Sequence, residues 1–206
     1  VEVGAEPNSE GPDGNTPLIS ASVAGQPSSI AALVECGAKA DLEASNGRTA
    51  LMMASLYGKT DSIAALLTCG ASIDLVTAEG KTALMYAAEV GRTDSIAALL
   101  RRGALPDREL ATGVTPLIHA VLASECDSLD ALVTRGASVD FENSKGSTAL
   151  IEASRRGLDS AIQTLVDRCK ANLDRETSTG MTPLAAAALA NKAQTVKLLI
   201  SLGATT

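Results

Sequence analysis

Few side chains in this chain of 206 residues have the types and spacing that covalent chemistry would need. Gly-Lys-Thr occurs twice, at Gly58-Lys59-Thr60 and at Gly80-Lys81-Thr82. A loop that cradles phosphate needs another glycine five residues before the second one, and Met53 and Leu75 occupy those places. The two tripeptides therefore read as a helix junction and a helix opening. His119 is the only histidine, so a multi-histidine metal site is excluded. Cys126 follows it seven residues on and could be drawn as a nucleophile beside a base, but His119 falls at a variable position of a helix. No Cys-x-x-Cys pair occurs. Asp41, Asp74, Asp107, Asp140 and Asp174 recur every 33 or 34 residues and could suggest cation ligands. That spacing holds them apart, and Asp favours turns by bonding its own backbone. No set of acid, base and nucleophile can be assembled, so the chain is expected to be no enzyme and to carry no cofactor and no metal.

The elements that hold these residues come from self-similarity. Gly80 to Thr112 reads as two short helices and a connector. Thr82 can cap the first helix, and Leu84, Ala87 and Ala88 keep one helical face. Gly91 stops it. A second helix starts at Thr93-Asp94, where short oxygen-bearing side chains can accept from backbone N–H groups. Ile96, Leu99 and Leu100 line that helix, and Gly103 falls where a left-handed C-cap is wanted. The same unit opens at Gly14, Gly47, Gly80, Gly113, Gly146 and Gly180, at intervals of 33, 33, 33, 33 and 34. This gives a flexible N-terminal leader, 1–13, and six repeats, 14–46, 47–79, 80–112, 113–145, 146–179 and 180–206.

The 34-residue interval can be traced. Aligning Ile162, Leu165 and Val166 with Ile96, Leu99 and Leu100 puts Cys169 at the helix-ending position and leaves Lys170 as the extra residue. The extra residue is expected to let the chain turn without a left-handed conformation, with slightly looser stacking between repeats five and six.

Composition agrees. Aromatic residues are 1% of the chain while 46% is hydrophobic, mostly Ala, Leu and Ile, which suits closely stacked helices. The net charge of −7 is spread out with no basic block, so neither nucleic acid nor an anionic membrane is an expected partner. No apolar run approaches the roughly 20 residues that span a bilayer. Cys36 and Cys69 occupy the same place in successive repeats, where stacked helices lie about 8–10 Å apart, beyond the roughly 7 Å Cα limit of a disulfide. Free thiols are expected, and with them a reducing, intracellular setting: the cytoplasm, with the nucleus as the alternative. Val1 opens the chain without Met, and the chain is read as an excised or processed piece of a soluble protein.

The repeated unit resembles the ankyrin repeat. The family's G-x-T-P-L-H opening is matched at Gly14-Asn15-Thr16-Pro17-Leu18, Gly113-Val114-Thr115-Pro116-Leu117 and Gly180-Met181-Thr182-Pro183-Leu184, with Thr-Ala-Leu at Thr49, Thr82 and Thr148. The G-A-x-x-[ND] ending is matched by Gly37-Ala38 with Asp41, Gly70-Ala71 with Asp74, Gly103-Ala104 with Asp107, and Gly136-Ala137 with Asp140. The family's His after Leu is replaced in every repeat, by Ile19, Met52, Met85, Ile118, Ile151 and Ala185. The resemblance implies an all-α solenoid of stacked helix-turn-helix units with projecting β-hairpin-like fingers.

It also implies where a partner binds. The family's contact positions fall, in the fingers, on Arg48, Glu79, Lys81, Val114 and Lys145. In the groove formed by the first helices they fall on Leu56, Tyr57, Tyr86, Glu89, Val90, Leu122, Arg155 and Arg156. The series is apolar through repeat four and basic at repeat five, which suits an extended or helical peptide with an acidic group at one end. Tyr57 and Arg155 are the expected anchors, since Tyr and Arg dominate interface energetics. The expected function is a non-catalytic protein-interaction module, an adaptor or scaffold. The alternative is the substrate-recruiting or regulatory domain of a larger enzyme, such as a kinase or ubiquitin ligase subunit. Leu198 and Leu202 make the last outer face apolar, so that end is expected to dock on further repeats or on a partner.

Overall fold

The computed structural model describes residues 6–78 and 80–205. Among them twelve α-helices form pairs and no strand occurs. The first helices of the pairs are α1 (Pro17–Ala24), α3 (Ala50–Leu56), α5 (Ala83–Glu89), α7 (Pro116–Ala123), α9 (Ala149–Arg156) and α11 (Pro183–Leu189). The second helices are α2 (Pro27–Glu35), α4 (Thr60–Thr68), α6 (Thr93–Arg101), α8 (Cys126–Val133), α10 (Asp159–Gln163) and α12 (Ala193–Ser201). The helices fall into two compact units, 1–87 with 94–105, and 88–93 with 106–206.

One hydroxyl starts each first helix. The Oγ1 of Thr16, Thr49, Thr82, Thr115, Thr148 and Thr182 accepts from the N–H three residues on, at 3.2–3.4 Å. Each bond satisfies a backbone donor that helix geometry orphans. Proline at the first helical position of α1, α7 and α11 gives up an N–H that would have no helical partner. The helices α2, α4, α8, α10 and α12 start without a side-chain cap. Within the first unit α1 packs on α3 and α2 on α4; within the second α7 packs on α9 and α9 on α11. Small residues permit the close approach: Ala54, Ala120, Ala153 and Ala187 are fully buried, and Ile63, Leu66, Leu129 and Leu132 fill the space toward the second helices.

Carboxylates join successive repeats. Asp41 accepts from the backbone N–H of Ser72 at 2.8 Å and Asp74 from Leu105 at 3.2 Å. In the second unit Asp107 accepts from Ser138 at 3.0 Å, Asp140 from Asn172 at 3.1 Å and Asp174 from Thr205 at 2.7 Å. The recurrent aspartates thus bind the neighbouring repeat's backbone, not their own as expected. A second row does the same: Glu43 takes the N–H of Ala78 at 3.1 Å, Glu109 that of Ser144 at 2.9 Å and Glu142 that of Ser178 at 2.8 Å. The Ser178 hydroxyl and N–H hold the Glu142 carboxyl below its ordinary range. At Asp107 burial prevails over the Ser138 N–H and raises the pKa. Between the carboxylates each finger tip closes like a hairpin without a strand ladder: Ala44 N–H bonds Arg48 O at 3.0 Å, and Asn143 N–H bonds Ser147 O at 2.9 Å.

The leader expectation fails for residues 6–13. Asn8 accepts from Lys39 N–H at 2.9 Å and donates to Gly37 O at 3.1 Å, and Glu10 accepts from Ser45 N–H at 2.7 Å. Asn8 and Glu10 lie 33 residues before Asp41 and Glu43 and do the same work. The stretch is a finger docked on the first repeat, and residues 1–5 lie outside the described residues.

Repeat five departs from the expected turn. The extra residue is absorbed inside the second helix, where α10 continues as a π-helical segment, Thr164–Arg168. Its close shows the added residue: Ala171 N–H reaches back six residues to Leu165 O at 2.8 Å, whereas Ala104 N–H reaches five, to Leu99 O at 3.1 Å. Lys170 then adopts the left-handed conformation itself, φ +62°, in the place that Gly103 fills at φ +95°. A side chain there costs about 1 kcal/mol. Lys170→Gly is accordingly expected to stabilise the chain by about 1 kcal/mol, read as a higher urea midpoint at unchanged slope; an unchanged midpoint would show that the cost is offset by the bond from Lys170 Nζ to Asp167 O.

All four cysteines are free thiols. Cys169 is buried, and burial first, with Asp130 nearby, pushes its thiol up to about 11. At the C-terminal end Leu198 and Leu202 are half-buried, and the exposure falls instead on Leu189 and Ile200.

Candidate interaction face

The first helices and the fingers carry the residues expected to bind. In the first unit Tyr57 caps α3 and is 48% exposed, with Leu56 half-buried beside it. Tyr86 is different. It sits on α5 at 2% exposure, and its ring centroid lies 5.6 Å from the Arg48 guanidinium carbon and 5.2 Å from Lys81 Nζ. Tyr86 is therefore a buried support for two half-buried cations and not a surface that a partner can touch. Glu79 lies outside the described residues.

In the second unit Glu89 and Val90 are half-buried at the end of α5, as are Val114 in its finger and Leu122 on α7, while Lys145, Arg155 and Arg156 stand exposed. The structure brings five of these together. Val114, Leu122, Lys145, Arg155 and Arg156 line one cavity of about 250 Å³, with Glu152 among them. Each wall has a local cause. Asn143, buried, donates to Gly113 O at 2.6 Å and accepts from Ser147 N–H at 2.8 Å, which pins one finger to the next. The stem of Lys145 crosses Gly113 so closely that an added Cβ would come 2.9 Å from Lys145 Cδ. Glu152 accepts from Ser147 Oγ at 2.9 Å and from Arg155 Nη1 at 2.9 Å, and its other oxygen lies 3.7 Å from Arg156 Nε. The guanidiniums also end α9, where the helix dipole favours cations. On the far side of Arg155 lies a second, apolar cavity of about 190 Å³, lined by Met181, Ala186 and Leu189.

Glu152 and Asn143 were not among the expected site residues. For Glu152 a signal existed, since it precedes Arg155 and Arg156 by three and four residues, the spacing at which helical side chains meet. His119 lies half-buried on α7 and Cys126 opens α8. Gly58-Lys59-Thr60 is the junction of α3 with α4, as its spacing indicated. No group of three or more metal-ligating side chains comes together among the described residues, and no described helix is long and apolar enough to cross a membrane.

Capped helix pairs of one length, fastened finger to finger by carboxylates, define a helical repeat protein whose first helices and fingers present a side-chain face. The family model described as Ankyrin repeats (3 copies) matches residues 1–77, 59–143 and 117–206, and the chain belongs to the ankyrin-repeat family. Among solved structures it is similar to the ankyrin repeat domain of Bcl-3, titled a unique member of the IkappaB protein family, at 30% identity and a TM-score of 0.78 over 95% of this chain and 86% of that one. It is also similar to the human ASB11 ankyrin repeat domain, at 27% identity and a TM-score of 0.77 over 98% of this chain and 90% of that one. A search of curated proteins finds no match. Ankyrin repeats as a class mediate protein–protein interactions.

Proposed function

We propose that the chain is a non-catalytic adaptor or scaffold that holds a segment of a partner protein against its first helices and finger tips. The observation that supports this is a division of labour among positions. Residues shared by the repeats, such as Leu51, Leu84, Leu117 and Leu150, are buried, while Tyr57, Arg155 and Arg156, which differ from repeat to repeat, are exposed on the inner face. Identity is carried by residues the fold does not consume. The free thiols suit a reducing compartment, and the cytoplasm is the proposed location.

The reading is tested by capturing partners from native cell extract with the wild-type chain, Tyr57→Ala and Arg155→Glu, all shown to be folded by circular dichroism. A loss of about tenfold in captured partner is expected for the variant that lies in the contact. Unchanged capture by both variants would remove this face as the site.

A further inference from the structure

The geometry points to an acidic, extended peptide as the occupant of the second unit's face, with a carboxylate side chain over Arg155 on one side and an apolar side chain over Leu189 on the other; this rests on the interaction reading above. In a chain of net charge −7, the 250 Å³ cavity gathers three cations, Lys145, Arg155 and Arg156, against the single carboxylate of Glu152. Glu152 engages both guanidiniums, at 2.9 and 3.7 Å, and is itself held by Ser147 Oγ. It fixes their direction while satisfying only part of their donors. A guanidinium carries five N–H groups and matches a carboxylate two bonds at a time. The floor of the cavity, Val114, Ile118 and Leu122, is apolar and suits the methylene stem of a glutamate. A dianionic phosphoryl group fits less well, because it would lie beside the Glu152 carboxylate.

Arg155 lines both cavities, so one ligand can engage the two at once. Beyond it the 190 Å³ cavity has walls of Met181, Ala186 and Leu189, and Leu189 is 78% exposed. First helices of adjacent repeats lie about 10 Å apart and an extended peptide advances about 3.3 Å per residue. The apolar residue therefore falls about three positions from the acid.

The test uses a displayed library of random linear peptides, selected separately on the wild-type chain and on Arg155→Glu. Enriched sequences are then synthesised with glutamate, glutamine or phosphoserine at the acidic position and titrated by fluorescence anisotropy. The expected result is an Asp or Glu with an apolar residue about three positions away, about tenfold weaker binding of the glutamine peptide, and a Lys or Arg consensus on Arg155→Glu. Leu189→Ala, an exposed position, should weaken the glutamate peptide about fivefold. Enrichment without acids, the same consensus on both chains, or tighter binding of the phosphoserine peptide would overturn the inference and leave the interaction reading standing. No enrichment on either chain would overturn both.

Discussion

Tyr86→Ala is expected to lower stability by about 3 kcal/mol, while Tyr57→Ala changes it by about 0.5 kcal/mol or less. The two tyrosines sit on the first helices of adjacent repeats, and by residue type alone they are equals. Burial separates them: 2% exposure at Tyr86 against 48% at Tyr57. Removing the Tyr86 ring leaves a cavity beneath the finger residues and takes from Arg48 and Lys81 the aromatic face over which both lie. Tyr86→Phe keeps the ring and that face, so it should retain most of the lost stability. Urea unfolding monitored by circular dichroism reads all three. If Tyr86→Ala melts with the wild type, the ring is not the support that its burial implies. The contrast also governs how binding data are read: weaker binding by Tyr86→Ala reports a loosened finger, and weaker binding by Tyr57→Ala reports a lost contact.

The same pair shows what sequence could and could not disclose. The threonine caps, the terminal glycines and the 33-residue interval are local signals, and they placed the helices because each acts within a few residues of itself. Whether a tyrosine faces the groove or lies under a finger depends on how the next repeat packs, which no single repeat encodes. The extra residue of repeat five was located by counting. Its absorption as a π-helical turn could not be, because a count does not say where in a helix the added rise is spread. The docked finger at residues 6–13 was legible and hidden only by position: Gly4-Ala5-Glu6-Pro7-Asn8 has the same Gly-Ala-x-x-[Asn/Asp] form as the ending at Gly37 to Asp41. The cavity at Arg155 was half legible. Its cations stood out as unshared residues, but Glu152, which aims them, needed the helical spacing to be read against its neighbours.

A triple variant, Ser62→Ala with Ser95→Ala and Ser128→Ala, is expected to be more stable than the wild type by about 3 kcal/mol. The three serines stand 33 residues apart, at one position of α4, α6 and α8, and all three are fully buried. None of their hydroxyls has a hydrogen-bond partner. A buried hydroxyl left unpaired forfeits its hydration, at about 1–3 kcal/mol, and alanine removes the group while leaving only a small void. Alanine also has the higher helix propensity, by a few tenths of a kcal/mol. The serines lie in different repeats with no shared partner, so the gains should add. At roughly 2–4 °C per kcal/mol for a chain of this size, the melting temperature should rise by about 6–12 °C. A control set lies in the same protein. Ser22, Ser55 and Ser154 are equally buried, but each hydroxyl donates to the carbonyl four residues back, Leu18, Leu51 and Leu150, at 2.7 Å. Their alanine variants remove a satisfied group and should gain little. In repeat six Thr195 occupies the equivalent place and donates to Asp159 at 2.6 Å, which shows how the position accepts a hydroxyl when an acceptor is supplied. Should the first triple variant melt no higher than the wild type, those three hydroxyls must be satisfied by buried water, and the position would be a hydrated seam between helices instead of a site of unmet hydrogen bonds.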